Sequence, residues 1–193
     1  MNNNIYPQAI CITNEDRAKL KKQNPLCIWL TGLSGAGKTT IANEIEKKLF
    51  LDGKHTFIID GDNLRLGLCK DLGFGAVDRD ENVRRAAELA KLLAESGLIV
   101  IVSLISPLQK HRATARNIFM NYKFIEVFID SPLEICEERD VKGLYKKARL
   151  GEIKNFTGID SPFEIPHNPD IHVKTSLMSP AECLNLILEK IHL

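Results

Sequence analysis

Disulfides, metal thiolates and membrane spans are what this sequence has least material for. Its five cysteines (Cys11, Cys27, Cys69, Cys136 and Cys183) are odd in number, widely spaced and free of any Cys-x-x-Cys pair. Neither a disulfide framework nor a zinc site is therefore expected. The five histidines (His55, His111, His167, His172 and His192) show no metal-ligand spacing and read as surface or hydrogen-bonded core residues. The longest strongly apolar run, Leu98–Ile105, falls well short of the roughly 20 residues that a membrane-spanning helix needs. Met1–Pro7 has no basic start followed by an apolar stretch, so no signal peptide is read and a cytoplasmic location is expected. An excess of one charge is missing too, since 26 Lys+Arg face 25 Asp+Glu. A nucleic-acid coat would be strongly basic. Neither nucleic acid nor membrane is expected as a partner, although a local basic site for one small anion fits inside a neutral total. No internal repeat, low-complexity tract or linker is visible.

What is present is an ordinary globular composition. The chain has 193 residues, 44% of them hydrophobic and 26% charged, enough for one domain that hides roughly 70% of its unfolded surface. Residues 1–24 are polar and read as an N-terminal extension or capping segment, with a short helix over Asn14–Lys22. Residues 25–193 read as a single domain in which strands and helices alternate. Expected strands are Cys27–Leu30, Thr56–Ile59, Leu98–Leu104, Phe124–Ile129 and Ile171–Val173. Helical spacing of apolar residues runs from Ile41 to Leu49 and from Asn82 to Glu95. Ser106-Pro107 reads as an N-cap followed by proline at the first helical position, Asp130-Ser131-Pro132 opens another helix, and Ser179-Pro180 opens the last. This alternation predicts an α/β fold: a five-stranded parallel sheet flanked by helices on both faces. Ligands of such sheets bind outside the carboxyl ends of the strands, which singles out the loops after Leu30, Ile59 and Leu104.

The first of these loops carries Gly32-Leu33-Ser34-Gly35-Ala36-Gly37-Lys38-Thr39, a full match to the phosphate loop G-x-x-x-x-G-K-[ST]. Its glycines let backbone N–H groups face phosphate oxygens, and the helix that follows adds partial positive charge. Lys38 is expected to reach the β- and γ-phosphates of a nucleoside triphosphate from a position open to the ligand and outside the core. Thr39 is expected to offer its hydroxyl to Mg²⁺. The second loop holds Asp60-Gly61-Asp62-Asn63-Leu64-Arg65. Alone this is a strand-ending turn with a helix cap; beside a phosphate loop it supplies the carboxylates that hold Mg²⁺ and take a proton from a phosphoryl acceptor. Arg65 has the planar fork to grip an anion.

Phe74 and the cluster Arg79–Arg85 read either as a solvated helix start with ion pairs or as an anion clamp with an aromatic platform. Between Arg139 and Lys154, six basic residues face only Asp140 and Glu152. The choice there is between a solvated basic helix and a basic lid, about 139–160, that closes over phosphates. Phe156-Thr157-Gly158-Ile159-Asp160 follows and offers a second aromatic face.

Taken together, Gly32–Thr39, Asp60–Arg65, Asp71-Leu72-Gly73-Phe74, Arg79–Arg85, Ile105-Ser106-Pro107, Lys142–Arg149 and Phe156–Asp160 resemble the adenylylsulfate kinases. The resemblance runs from about Asn14 to the C-terminus. It implies a P-loop kinase fold, MgATP as phosphoryl donor, adenylyl sulfate as acceptor, a homodimer, and functional coupling to ATP sulfurylase. By the same resemblance Asp62 stands near the acceptor hydroxyl and Asp60 near Mg²⁺. Arg65, Arg79 and Asn82 hold adenylyl sulfate, Phe74 and Phe156 sandwich its adenine, and Lys142 sits in the lid. Ser106 matches a serine assigned as a phosphoserine intermediate, against which direct in-line transfer is the alternative. Departures from the family pattern are Gly75-Ala76, Leu66 and Leu108-Gln109. Two further readings stand beside this one: a kinase of another nucleotide anhydride, such as a nucleoside diphosphoramidate, and a nucleotide-binding switch without transfer. A sugar or nucleoside kinase is a third, disfavoured by the Phe74–Phe156 pair.

Overall fold

The computed structural model describes Asn4, Tyr6 and residues 8–191; His192 and most of Met1–Pro7 lie outside the described residues. In chain order the elements are α1 (Asn14–Lys21), β1 (Leu26–Thr31), α2 (Lys38–Leu51), β2 (Thr56–Asp60), α3 (Gly61–Leu66), α4 (Ala76–Glu95), β3 (Ile99–Ser103), α5 (Gln109–Ile118), β4 (Lys123–Asp130), α6 (Leu133–Arg139), α7 (Leu144–Arg149), β5 (Ile171–Lys174) and α8 (Pro180–Ile191). The five strands form one sheet in the order β2-β3-β1-β4-β5, parallel at every pairing.

β1 is central, and every one of its residues is buried. Its side chains alternate between two cores, as period-two geometry demands. Leu26, Ile28 and Leu30 join Ile41, Ile45, Ile101 and Ile187 beneath α2 and α8. Cys27 and Trp29 join Val100, Val102, Phe119 and Phe124 beneath α4 and α5. On that second face α4 presents Ala86, Ala87, Ala90 and Ala94, all fully buried. These short side chains leave room for Trp29, whose ring lies 5.8 Å from that of Phe124. Gln23 ties the N-terminal segment down. Its amide donates to the carbonyls of His55 (2.9 Å) and Gly97 (2.8 Å), and its oxygen accepts from the His55 N–H at 2.8 Å.

Two local expectations need correction, and one is met. α4 begins at Ala76, a full turn and more before Asn82, because the polar stretch Asp78–Glu81 carries no apolar period for a pattern to detect. The helix cap read at Asp60 is present: Asp60 Oδ1 caps the short α3 by accepting from the N–H groups of Asp62 and Asn63. Ser106 is not an N-cap, since α5 starts at Gln109 behind Leu108. Ser106 instead occupies the left-handed region at φ 39°, and its hydroxyl turns inward onto β1.

Candidate active site

The loops leaving β1, β2 and β3 meet at one end of the sheet around a cleft of about 560 Å³. Two of the loop glycines are there of necessity. A Cβ on Gly32 would stand 2.3 Å from the Ile129 carbonyl oxygen, and one on Gly35 would stand 3.0 Å from that of Cys136. The loop is also held from outside. Tyr145 donates its hydroxyl to the Ser34 carbonyl at 2.9 Å, Arg139 donates to that of Gly35 at 3.3 Å, and Thr175 to that of Ala36 at 2.7 Å. With the Ser34, Gly35 and Ala36 carbonyls engaged from outside, the first N–H groups of α2, which have no partner inside a helix, are left to the cleft that Lys38, Thr39 and Thr40 line.

Lys38 lines the cleft yet is only 9% exposed, so the expectation of an open lysine is corrected: it is part of the wall. Its Nζ donates to the carbonyls of Gly32 (2.9 Å) and Leu33 (2.7 Å). Burial pulls its ammonium down to about 8, against the opposing pull of Asp60 and Asp62. Thr39 Oγ1 donates to Asp60 Oδ2 at 3.0 Å and lies 3.3 Å from Ser103 Oγ. Two hydroxyls and one carboxylate are hard oxygen donors, the set Mg²⁺ accepts when phosphates and water complete its shell. The residues present therefore fit that ion. Ser103, at the last position of β3, carries no sequence signal because it reads as one more residue of an apolar strand.

The other half of the cleft is aromatic and basic. Arg65 stacks on the exposed ring of Phe74, 4.4 Å from its centroid, and donates to the Gly73 carbonyl at 2.8 Å. Arg79 donates to the Phe74 carbonyl at 2.9 Å and to Thr157 Oγ1 at 2.6 Å, and also bonds the Asn155 carbonyl. Burial lowers the pKa of both guanidiniums. Asn82 is 5% exposed, and its Oδ1 has no protein partner. A buried carbonyl oxygen left open is costly, so its place on the cleft wall suits a donor from a ligand. Phe156 packs edge-on against Tyr145 at 4.9 Å. Lys142, in the turn before α7, forms an ion pair with Asp62, which raises its pKa.

Ser106 also lines the cleft, but its hydroxyl is committed elsewhere. It accepts from Trp29 Nε1 and donates to Thr31 Oγ1, both at 3.0 Å, and the residue is 1% exposed. The structure thus brings Lys38, Thr39, Asp60, Asp62, Arg65, Phe74, Arg79, Asn82, Ser106, Lys142 and Phe156 into one cleft. Arg139, the first basic residue of the expected lid, also lines the cleft; sequence reasoning missed the rest of that far wall, Thr175, Met178, Pro180 and Cys183, drawn from segments with no motif among them. Among the described residues, no helix is long and apolar enough to cross a membrane.

Comparison with known proteins adds four findings. The profile of the adenylylsulphate kinase family matches residues 24–174. An adenylyl-sulfate kinase of Pseudomonas aeruginosa is 57% identical over 169 residues, covering 88% of this chain and 86% of its own. The bifunctional enzyme NodQ of Rhizobium sp. (strain N33) is 54% identical over 184 residues, and this chain, 95% covered, spans only 28% of it. Among solved structures, the Mycobacterium tuberculosis APS kinase CysC in complex with AMPPNP and APS superposes with a TM-score of 0.85 at 47% identity. That match covers 88% of this chain and 99% of the other.

Proposed function

Because the chain belongs to the adenylylsulphate kinase family, we propose that it transfers the γ-phosphoryl group of ATP to the 3′-hydroxyl of adenylyl sulfate, yielding ADP and 3′-phosphoadenylyl sulfate. One observation carries this reading. A single cleft joins a phosphate loop at one end to a pocket of two phenylalanines, two arginines and an open asparagine at the other, with Asp62 in the same cleft. Aromatic walls suit a planar purine, which stacks on them over its whole face.

The mechanism is positioning and electrostatics. The loop amides and Lys38 hold the β- and γ-phosphates, and Arg139, Thr175 and Met178 wall the end of the cleft left for the donor's base. Thr39, Asp60 and Ser103 would hold Mg²⁺, which when bound neutralises charge on the transferring phosphoryl group. Asp62 orients the 3′-hydroxyl and takes its proton as the new O–P bond forms and the bond to the ADP oxygen breaks. Lys142 must leave Asp62 for this to happen, and its pairing with that carboxylate supports reading the 139–160 segment as the lid that exchanges it for the acceptor. We place the protein in the cytoplasm, where its free cysteines, four of them buried, stay reduced. We assign it a homodimeric assembly, and coupling to an ATP sulfurylase that supplies its acceptor; the far greater length of NodQ leaves room for a second activity in one polypeptide. An ADP-release assay with adenylyl sulfate beside AMP, CMP and adenosine tests the reading, and equal rates with AMP would sink it.

Two expected outcomes follow from the pocket. Phe74→Ala and Phe156→Ala each raise the KM for adenylyl sulfate about ten- to a hundredfold, the scale of one lost base stack, with the KM for ATP nearly unchanged. Steady-state kinetics in both substrates check this. Ser106→Ala retains roughly 2–50% of turnover, because transfer is direct. The hydroxyl has Trp29, Thr31 and the Leu104 carbonyl around it, none of which is the base a nucleophilic serine requires. Labelled ATP without acceptor leaves the protein unlabelled. Stoichiometric labelling, with a dead but folded Ser106→Ala protein, is the contrary result.

A further inference from the structure

Arg112 lies behind the cleft wall and is absent from its lining, yet it touches both flanks of the acceptor half. Its side chain is 3% exposed and pairs with Glu126, itself 10% exposed, Nε to Oε1, at 3.2 Å. Nη1 donates to the Ser106 carbonyl at 2.9 Å, and Nη2 donates to the Glu164 carbonyl at 2.7 Å. The first carbonyl belongs to the turn that holds Ser106 at φ 39°, a conformation that a residue with a Cβ rarely adopts. The second belongs to the segment 155–165, whose start carries Phe156 and Thr157, both lining the cleft. That segment is pinned again beside Arg112. The Glu164 N–H donates to the Pro107 carbonyl at 2.8 Å, its carboxylate accepts from the Gln109 N–H at 2.6 Å, and the guanidinium lies 5.9 Å from the Phe163 ring centroid.

We propose that Arg112 is a positioning residue for the acceptor: one buried guanidinium, fixed by Glu126, sets the spacing between the Ser106 turn and the Phe156–Thr157 wall, and so the width of the adenylyl sulfate pocket. The inference rests on the assignment of that half of the cleft to the acceptor. Only arginine suits the task, because its planar fork reaches two carbonyls and a carboxylate at once, whereas the single ammonium of lysine has no such fork. The far half of the cleft is held by other contacts, those of Tyr145, Arg139 and Thr175 to the phosphate loop. Loss of Arg112 therefore acts on one substrate and not on the other.

The test uses two variants of the full chain. Arg112→Lys keeps the buried charge balance and removes the bridge. Arg112→Met with Glu126→Met removes both charges together, while Arg116, which also reaches Glu126 at 3.4 Å, keeps its shorter pair with Asp170 at 2.7 Å; such an exchange is often neutral or stabilising when volume is kept, and so separates positioning from stability. In both, kcat/KM for adenylyl sulfate falls about tenfold, mainly through KM, while the KM for ATP stays within about twofold and the melting temperature of the double variant is close to the wild type. An unchanged KM for adenylyl sulfate in Arg112→Lys, or a KM for ATP that rises in step with it, overturns the proposal. A rise in the KM for ATP alone instead refutes the assignment of the two halves of the cleft.

Discussion

Replacing Lys38 by methionine leaves a folded protein that turns over about 10³-fold more slowly, a loss of roughly 4 kcal/mol in transition-state stabilisation. The ammonium is the one side-chain cation seated in the loop itself, close enough to touch the carbonyls of Gly32 and Leu33, and phosphates bound there meet it directly. Stability moves the other way. Burial lowers the pKa of Lys38 from 10.5 to about 8, so folding disfavours its charged form by about 3 kcal/mol on the scale of 1.36 kcal/mol per pK unit. For a base with a depressed folded pKa, this cost is fully present below pH 8. It fades as pH rises from the folded value towards the unfolded one, because the unfolded state then holds the extra proton. Methionine keeps the stem and drops the charge, so thermal melts at pH 7 give a melting temperature no lower than the wild type, with any advantage shrinking between pH 8 and pH 10. The same titration reaches function: ATP affinity of the wild type declines about tenfold per pH unit above pH 8, and that of Lys38→Met does not. Binding isotherms at pH 7, 8 and 9 decide this, and a flat wild-type profile refutes it.

Asp62→Asn lowers kcat by about 10²–10⁴-fold, the range expected for loss of a positioned proton acceptor, and leaves the KM for ATP within about threefold. Asparagine preserves the size of the side chain and its capacity to accept a hydrogen bond from the 3′-hydroxyl. What it loses is basicity and the ion pair with Lys142. Lys142→Ala, which frees the carboxylate without removing it, costs far less in kcat. Rapid-quench measurement of the transfer step with both variants separates the two roles. Comparable losses in both would mean that the pair acts only as a structural contact. Asp60→Asn differs again, since Asp60 caps α3 and holds Thr39, and its removal shows as a raised Mg²⁺ requirement.

The parts of this site legible in the sequence are those whose chemistry is written in consecutive residues. Gly32–Thr39 is fixed by steric demands that only this spacing meets, and Asp60–Arg65 by its place at a strand end. The sheet was legible for a similar reason: β1, β3 and β4 are apolar on both faces because helices cover both. Three kinds of feature were not legible. Ser103 looks like strand and lines the cleft because β3 ends beside Thr39. Ser106-Pro107 has the residue types of a helix start, but Trp29 and Thr31 across the sheet capture the hydroxyl and shift the helix to Gln109. Thr175 and Met178 come beside Arg139 of the expected lid only because β1 and β5 flank β4, an order the strand pattern does not specify. The exposure of Lys38 was misjudged because its depth depends on carbonyls whose direction no motif states.

The centrality of β1 bears on how the chain acquires activity as it is made. β1 leaves the ribosome early, but its two neighbours are β3, at Ile99–Ser103, and β4, at Lys123–Asp130. Pairings so distant in sequence close slowly and late. Gly32 is packed on the carbonyl of Ile129, so the phosphate loop has no fixed shape until translation has passed that residue. At about 5–20 residues per second, nearly a hundred codons separate the two, a delay of roughly 5–20 s. During that interval the nascent chain carries its glycine-rich segment without a nucleotide site, and ATP cannot act as a folding template for the first half of the domain. Pulse-labelled ribosome-bound chains truncated before β4 should therefore show no ATP protection against proteolysis, whereas chains extended past β5 should gain it.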